Sequence, residues 1–192
     1  MEQYPEYRVR IVKKDSSWTG FREMMGEFDR SIDCIHTVLP QGVENDQMLF
    51  EPFGEYDLQA VVLKSNELAK YDHLSMKDLA GKKVLLPALY GAVWDQMVET
   101  LHKLDCPIDV LPSDAGNYLD RFTGIADKNT ITIAYGGRIG GYPALKALSV
   151  DWDFSLPFGM LYPKYHSQMR RFIHCVKEHM KHYDEEPYHH RR

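Results

Sequence analysis

The sequence predicts an α/β fold with parallel or mixed sheets, and three observations carry the prediction. Short β-branched runs and amphipathic stretches of helical period alternate almost throughout the 192 residues, the pattern of strands that return through helices. Apolar residues make up 44% of the chain and charged residues 27%, the balance of a globular chain with a core. Two stretches, "AVWDQMVETLHKLDC" and "HSQMRRFIHCVKEHMKHY", set their apolar residues on one helical face, as helices that cover a sheet must.

Each element has a local reason. "EYRVRIVKK" alternates Tyr7, Val9 and Ile11 against Arg8 and Arg10 and predicts a strand. In "SSWTGFREMMGEFDRS", Phe21, Met24, Met25 and Phe28 recur at helical spacing, with Ser17 or Thr19 able to cap the start. "IDCIHTVLP" predicts a strand that stops at Pro40. "GVENDQMLFEPFGEYD" predicts a loop with a short strand around Met48–Phe50, and "LQAVVLKS" a further strand. In the polar stretch that follows, Ser75 is placed to cap a short helix over Ser75–Leu79, Asp78 sits in its first turn, and Gly81 can end it.

"KKVLLPALYG" predicts a strand and a turn. The next helix faces inward through Val93, Met97, Val98, Leu101 and Leu104. "PIDVLPS" is a short strand, "AGNYLDRFTGIA" a short helix facing inward through Tyr118, Leu119 and Phe122, and "TITIAY" a strand. "ALKALSVDWDFSLPFGMLYPK" holds a turn and a long strand. The last helix turns Met169, Phe172, Ile173, Val176, Met180 and Tyr183 to its apolar face, and "DEEPYHHRR" is a polar tail.

Composition excludes several classes. A net charge of −5 with histidines neutral lacks the concentrated basic surface of a stand-alone nucleic-acid binder. Three cysteines, Cys34, Cys106 and Cys175, are far apart and odd in number, which fits a reducing cytoplasm rather than a disulfide framework. No apolar run approaches the roughly 18–20 residues that span a bilayer, and the N-terminus shows no apolar signal core.

The motif "YGGRIGG" fails the dinucleotide test. Gly136, Gly137, Gly140 and Gly141 have the wrong spacing, Tyr142-Pro143 interrupts any helix, and no Gly-Lys-Ser/Thr follows. Two readings stand. One is a turn that needs positive φ; the other is a loop whose backbone N–H groups and Arg138 hold an anion. "PALYGAVWDQ" follows a strand and opens a helix, so its N–H groups favour a carboxylate or other anion.

"DCIHTV" places Cys34 and His36 on one face of a strand, either as a nucleophile pair or, the better reading, as buried filler. Cys175, His179 and His182 share a helical stripe without a fourth metal ligand, and no carboxylate pair is fixed at acid–base geometry. The residues therefore predict no catalysis, no cofactor and no metal.

An ordered set of short motifs resembles the effector-binding domain of LysR-type transcriptional regulators. "LQAVVLKSNELAKYDHLSMKDLAGKKVLLP" resembles its crossover segment through Glu67-Leu68-Ala69, Leu74, Asp78-Leu79, Gly81 and Val84–Leu86. "YPEYRVRIV" resembles the junction into the domain's second strand. "GEFDRSIDCIHTVL" resembles its helix–strand turn with Asp33 at the aspartate, and "LPFGMLYPKYHSQMRRFIHCVKEHM" its return strand and last helix. The family's first strand and its winged helix-turn-helix have no match.

That resemblance implies a two-lobed type II periplasmic-binding-protein fold, with mixed sheets flanked by helices and two crossover strands. Lobe I would comprise residues 1–58 and 151–183 (N-terminally incomplete relative to the family), lobe II residues 59–150, and residues 184–192 a tail. It implies a small anionic or aromatic effector held between the lobes. The contacts it implies are Thr37 and Val38, Ala88, Leu89, Tyr90 and Gly91, and Tyr135, Gly136 and Arg138. It further implies a homodimer that reaches DNA only through a helix-turn-helix domain not in this chain. Two other classes share the fold: a free-standing solute-binding protein of a transporter, and an enzyme such as a dehydratase or phosphoribosyltransferase of amino-acid biosynthesis.

Overall fold

A computed structural model describes residues 8–12, 23–28, 30–38, 47–87, 92–111 and 118–184. The chain divides into two units. The first is Met1–Lys14, Glu23–Gly54 and Phe158–Arg192; the second is Asp15–Arg22 and Glu55–Pro157. Eight strands are described: β1 (Ile35–Val38), β2 (Met48–Leu63), β3 (His73–Leu74), β4 (Lys83–Pro87), β5 (Ile108–Leu111), β6 (Thr130–Tyr135), β7 (Leu145–Val150) and β8 (Ser155–Pro163). Among the described residues the helices between them are α1 (Ala92–Lys103), α2 (Tyr118–Ile125) and α3 (Ser167–Asp184), and residues 23–26 are helical as well. The fold is α/β, a mixed multi-strand sheet with helices.

In the second unit the strand order runs β2-β6-β4-β5. β4 lies parallel to both β6 and β5, while β2 runs antiparallel to β6 with Leu58 opposite Tyr135. β7 pairs antiparallel with β2, and β3 pairs parallel with β7.

Successive strand residues point to opposite faces, and the two cores follow that alternation. Ala60, Val62, Val84, Leu86, Ile131 and Ile133 face α1, which buries Met97 and Leu101 against them. Val61, Leu85 and Ala134 face the other way and meet Leu119 and Phe122 of α2. A near-continuous apolar strand such as "VLLP" is what a sheet covered on both faces requires. Thr130 and Thr132 are the buried polar residues of β6; the Thr132 hydroxyl donates to the Leu85 carbonyl, and the Thr130 hydroxyl to Asp127 Oδ1 at 2.7 Å. Asn66, also buried, accepts from the Leu68 N–H at 2.9 Å and donates to the Thr130 carbonyl at 3.2 Å.

The capping prediction around Ser75 holds in its reciprocal half. Residues Met76–Leu79 form a 3-10 turn, and the Asp78 carboxylate accepts from the Ser75 N–H (2.7 Å) and Ser75 Oγ (2.9 Å). Gly81 follows at φ 69°, a left-handed conformation that suits glycine.

In the first unit β1 runs antiparallel to β8, with Ile35 opposite Leu161 and Thr37 opposite Gly159. Tyr162, Met169 and Ile173 form its core with Leu49, Phe53, Met160 and Phe172. The glycines here are dictated by close approach. A Cβ on Gly159 would lie 2.1 Å from the Glu51 carbonyl oxygen, and one on Gly54 would lie 2.9 Å from the Phe158 ring.

Three expectations change. Residues 8–12 form no strand; they are irregular, and Ile11 is 90% exposed. Alternation makes a strand only where a neighbouring strand completes the ladder. The loop expected over 51–57 is instead the middle of a 16-residue β2. Pro52 and Gly54 are local breakers, but β8 pairs beside β2 and overrides them. Finally, "GGRIGG" is a right-handed 3-10 helix over Gly136–Gly141 rather than a turn needing positive φ. Neither Gly140 nor Gly141 enters the left-handed region.

Candidate functional site

Parallel strands end at a common edge, so in the second unit β4, β5 and β6 bring Pro87, Leu111 and Tyr135 to one side of the sheet. The carboxyl edge of such strands is where α/β sheets meet their ligands, because free backbone groups and helix starts gather there. Of the predicted contacts, Ala88, Leu89, Tyr90 and Gly91 lie directly after β4 and outside the described residues. Tyr135 ends β6, and Gly136 opens the 3-10 helix that follows. The side chain of Arg138, in the same helix, lies outside the described part of the structure.

Tyr135 is half-buried and stacks on Tyr56, with ring centroids 4.7 Å apart and planes 7° from parallel. The register explains the pair. Leu58 faces Tyr135 across the ladder, and Tyr56, two residues earlier, shares the Leu58 face. Burial, and then the neighbouring Tyr135, push the Tyr56 phenol upward. It therefore stays protonated at neutral pH and keeps its donor. Tyr56 was missed because its segment reads locally as loop. The alternation Tyr56, Leu58, Ala60 in "YDLQA" was the signal that could have found it.

The glycines beside this stack have no internal reason. A Cβ on Gly140 or Gly141 would meet nothing within 4 Å, and neither residue has a φ that favours glycine.

Thr37 and Val38 belong to the first unit, at the end of β1. Thr37 Oγ donates to the Val38 carbonyl at 2.9 Å, which leaves its oxygen lone pairs as acceptors. Cys34 and His36 do not make a nucleophile pair. Burial, with Asp33 adding to it, pushes the Cys34 thiol up to about 11, so the reactive thiolate is scarce. Burial lowers His36, whose ring meets the edge of Phe158 at 6.1 Å. Among the described residues no three His, Cys, Asp or Glu side chains gather as a metal site. The predicted stripe contributes Cys175 and His179; the His182 side chain lies outside the described part.

One cluster the sequence did not announce sits on the β3–β7 ladder. His73 Nδ1 lies 3.2 Å from Ser149 Oγ, and His73 Nε2 lies 2.8 Å from Asp151 Oδ1. The order is that of a proton relay, but the hydroxyl also donates to the Asp72 carbonyl at 3.1 Å and the histidine and aspartate are exposed to water. His73 and Ser149 are directly opposite in the parallel register. The cluster therefore works as a cross-strand clasp at a sheet edge.

No protein-family model matches the sequence, and no curated protein matches it. Solved structures do match in fold. The effector-binding domain of BenM with its effector benzoate is 14% identical, with a TM-score of 0.65 over 97% of this chain and 85% of that one. The regulatory domain of CcmR from Synechocystis PCC6803, in complex with 2-PG, is 13% identical, with a TM-score of 0.60 over 93% and 88%. A mutant of the arginine-binding protein of T. maritima is 18% identical, with a TM-score of 0.58 over 93% and 74%. Effector-binding domains of LysR-type regulators recur among these neighbours, and their shared architecture is the type II periplasmic-binding fold.

Proposed function

We propose that this chain is the small-molecule-sensing domain of a LysR-type transcriptional regulator. The Tyr56–Tyr135 stack carries the reading: a half-buried aromatic platform at the carboxyl edge of parallel strands, leading directly into a 3-10 helix whose Gly140 and Gly141 neither packing nor backbone conformation demands. The effector is a planar or small carboxylate. Tyr135 supplies stacking area, Gly136 and its neighbours supply N–H groups, and Arg138 pairs with the carboxylate. The segment Ala88–Gly91, directly after β4 in the chain, belongs to the same contact set. The domain performs no catalysis. Binding shifts the population of a homodimer that reaches DNA through a helix-turn-helix domain elsewhere in the protein.

A thermal-shift screen tests this. Benzoate, shikimate, arginine and glutamine probe the ligand classes that the solved neighbours are described with. A ligand at 100 times its dissociation constant adds about 2.7 kcal/mol, which raises the melting temperature of a chain this size by roughly 5–10 °C. Benzoate or shikimate should give that rise, and Tyr135→Ala and Arg138→Ala should each abolish it. A rise that survives both substitutions removes this site from the argument. The same fold in an arginine-binding protein favours one second reading, a solute receptor, and a response confined to amino acids would select it.

A further inference from the structure

Tyr135 does not stand alone. Its ring lies on that of Tyr56, in β2, with the near-parallel planes already described. The two are diagonal neighbours on one face of the sheet, a spacing that aromatic side chains bridge. Both are half-buried, so the pair is gripped by the sheet and still keeps surface toward water. Tyr56 is also held along the chain. The Leu58 N–H donates to the Phe154 carbonyl at 2.8 Å, and the Leu58 carbonyl accepts from the Trp152 indole at 2.7 Å. Ser155 Oγ donates to the Glu55 carboxylate. The Trp152 and Phe154 rings meet edge to face at 5.6 Å and stiffen the segment that makes these contacts. β2 is thus tied down one residue before Tyr56 and two after it.

A lone tyrosine ring on a sheet turns about its side-chain torsions and follows the shape of whatever lies against it. A ring backed by a second, parallel ring cannot tilt without losing that stack, and here the backing ring stands on fixed backbone. A flat ring laid on such a plane touches it along its whole face. A puckered ring of the same size touches with only some of its atoms and forfeits the dispersion of the rest. We propose that Tyr56 is a positioning residue of the effector site: it fixes the plane of Tyr135, and the site thereby selects carboxylates on a flat ring over those on a puckered ring of equal size. This rests on the effector site proposed above and narrows its ligands to aromatic acids.

Benzoate and cyclohexanecarboxylate share charge and ring size and differ in flatness, so calorimetric titration of the whole chain with each tests the proposal. Wild type should bind benzoate roughly two- to tenfold tighter, the contribution of one aromatic stack. Tyr56→Phe keeps the ring and should keep that preference. Tyr56→Leu keeps apolar bulk without a plane and should abolish it, chiefly by weakening benzoate. A merely structural role for Tyr56 would weaken both acids alike and leave the preference standing. Equal affinities in wild type, or a preference unchanged in Tyr56→Leu, overturn the proposal while the effector site remains. So does loss of the preference in Tyr56→Phe, since the hydroxyl and not the plane would then be at work. If neither acid binds, the proposal falls as well: a response to shikimate would leave the effector site in place, and silence throughout the thermal-shift screen would end both.

Discussion

At the scale of single residues, two close approaches give sharp expectations. The Gly159 position has backbone as its neighbour, with the Glu51 carbonyl 2.1 Å from a would-be Cβ, whereas Gly54 faces the rim of the Phe158 ring. Backbone cannot step aside as a ring can. Gly159→Ala should cost at least about 3 kcal/mol in urea unfolding, the upper part of the overpacking range, and Gly54→Ala about 1 kcal/mol. Equal costs would mean that β8 and β2 are free to shift past each other. Cys34 gives a chemical test. With its thiol near 11, alkylation at pH 8 should run about a hundredfold slower than for an ordinary exposed cysteine, as its thiolate is that much rarer. Peptide mass mapping of iodoacetamide labelling reads the rate. Tyr135 was legible in the sequence from its place at a strand end. Tyr56 was not, because a stacked partner comes from cross-strand register, which no local pattern contains. The same holds for His73 and Ser149, 76 positions apart in the chain.

At the scale of elements, helices were read well and β2 was not, and the difference is physical. A helix closes its own hydrogen bonds, so Met97 and Leu101 of α1 or Leu119 and Phe122 of α2 show their face in the local period alone. A strand is completed by another strand, and β2 crosses Pro52 and Gly54 because β8 lies beside it. Residues 8–12 show the converse, good alternation with no strand and no ladder among the described residues. Phe122 is the largest fully buried side chain under the sheet face that α2 covers. Phe122→Ala should therefore destabilise the protein by about 3–5 kcal/mol in chemical denaturation. A cost below about 1 kcal/mol would show that α2 is not docked through that ring.

At the scale of the whole molecule, acid sensitivity follows from turn carboxylates. Asp127 is held below the usual range by the Thr130 hydroxyl and then the Asn129 N–H, and Asp78 by the Ser75 hydroxyl and backbone N–H. Groups depressed in the folded state contribute stability above their unfolded value, about 3.9 for aspartate. That contribution drains away as pH falls through the lower folded value. Urea midpoints measured from pH 7 downward should stay level to about pH 4.5 and then drop, since protonation begins only near the unfolded value. In Asp127→Asn the drop should be shallower. An unchanged slope in that variant would mean the turn survives protonation. The exposed run at residues 8–12 and the tyrosine stack required three dimensions.

The order of the units along the chain also has a consequence for how the protein is made. Every described residue of the second unit lies in one stretch, Glu55–Pro157, whereas the core of the first needs Leu49 and Phe53 together with Tyr162, Met169 and Ile173. Synthesis delivers residues from the N-terminus at about 5–20 per second. On the ribosome, the second unit can close while α3 is still held inside the exit tunnel. The first must leave Leu49 and Phe53 without their partners until that helix has emerged. A chain ending at Pro157 and released from the ribosome should thus have a stretch over Glu55–Pro157 that resists protease and a stretch before Glu55 that does not.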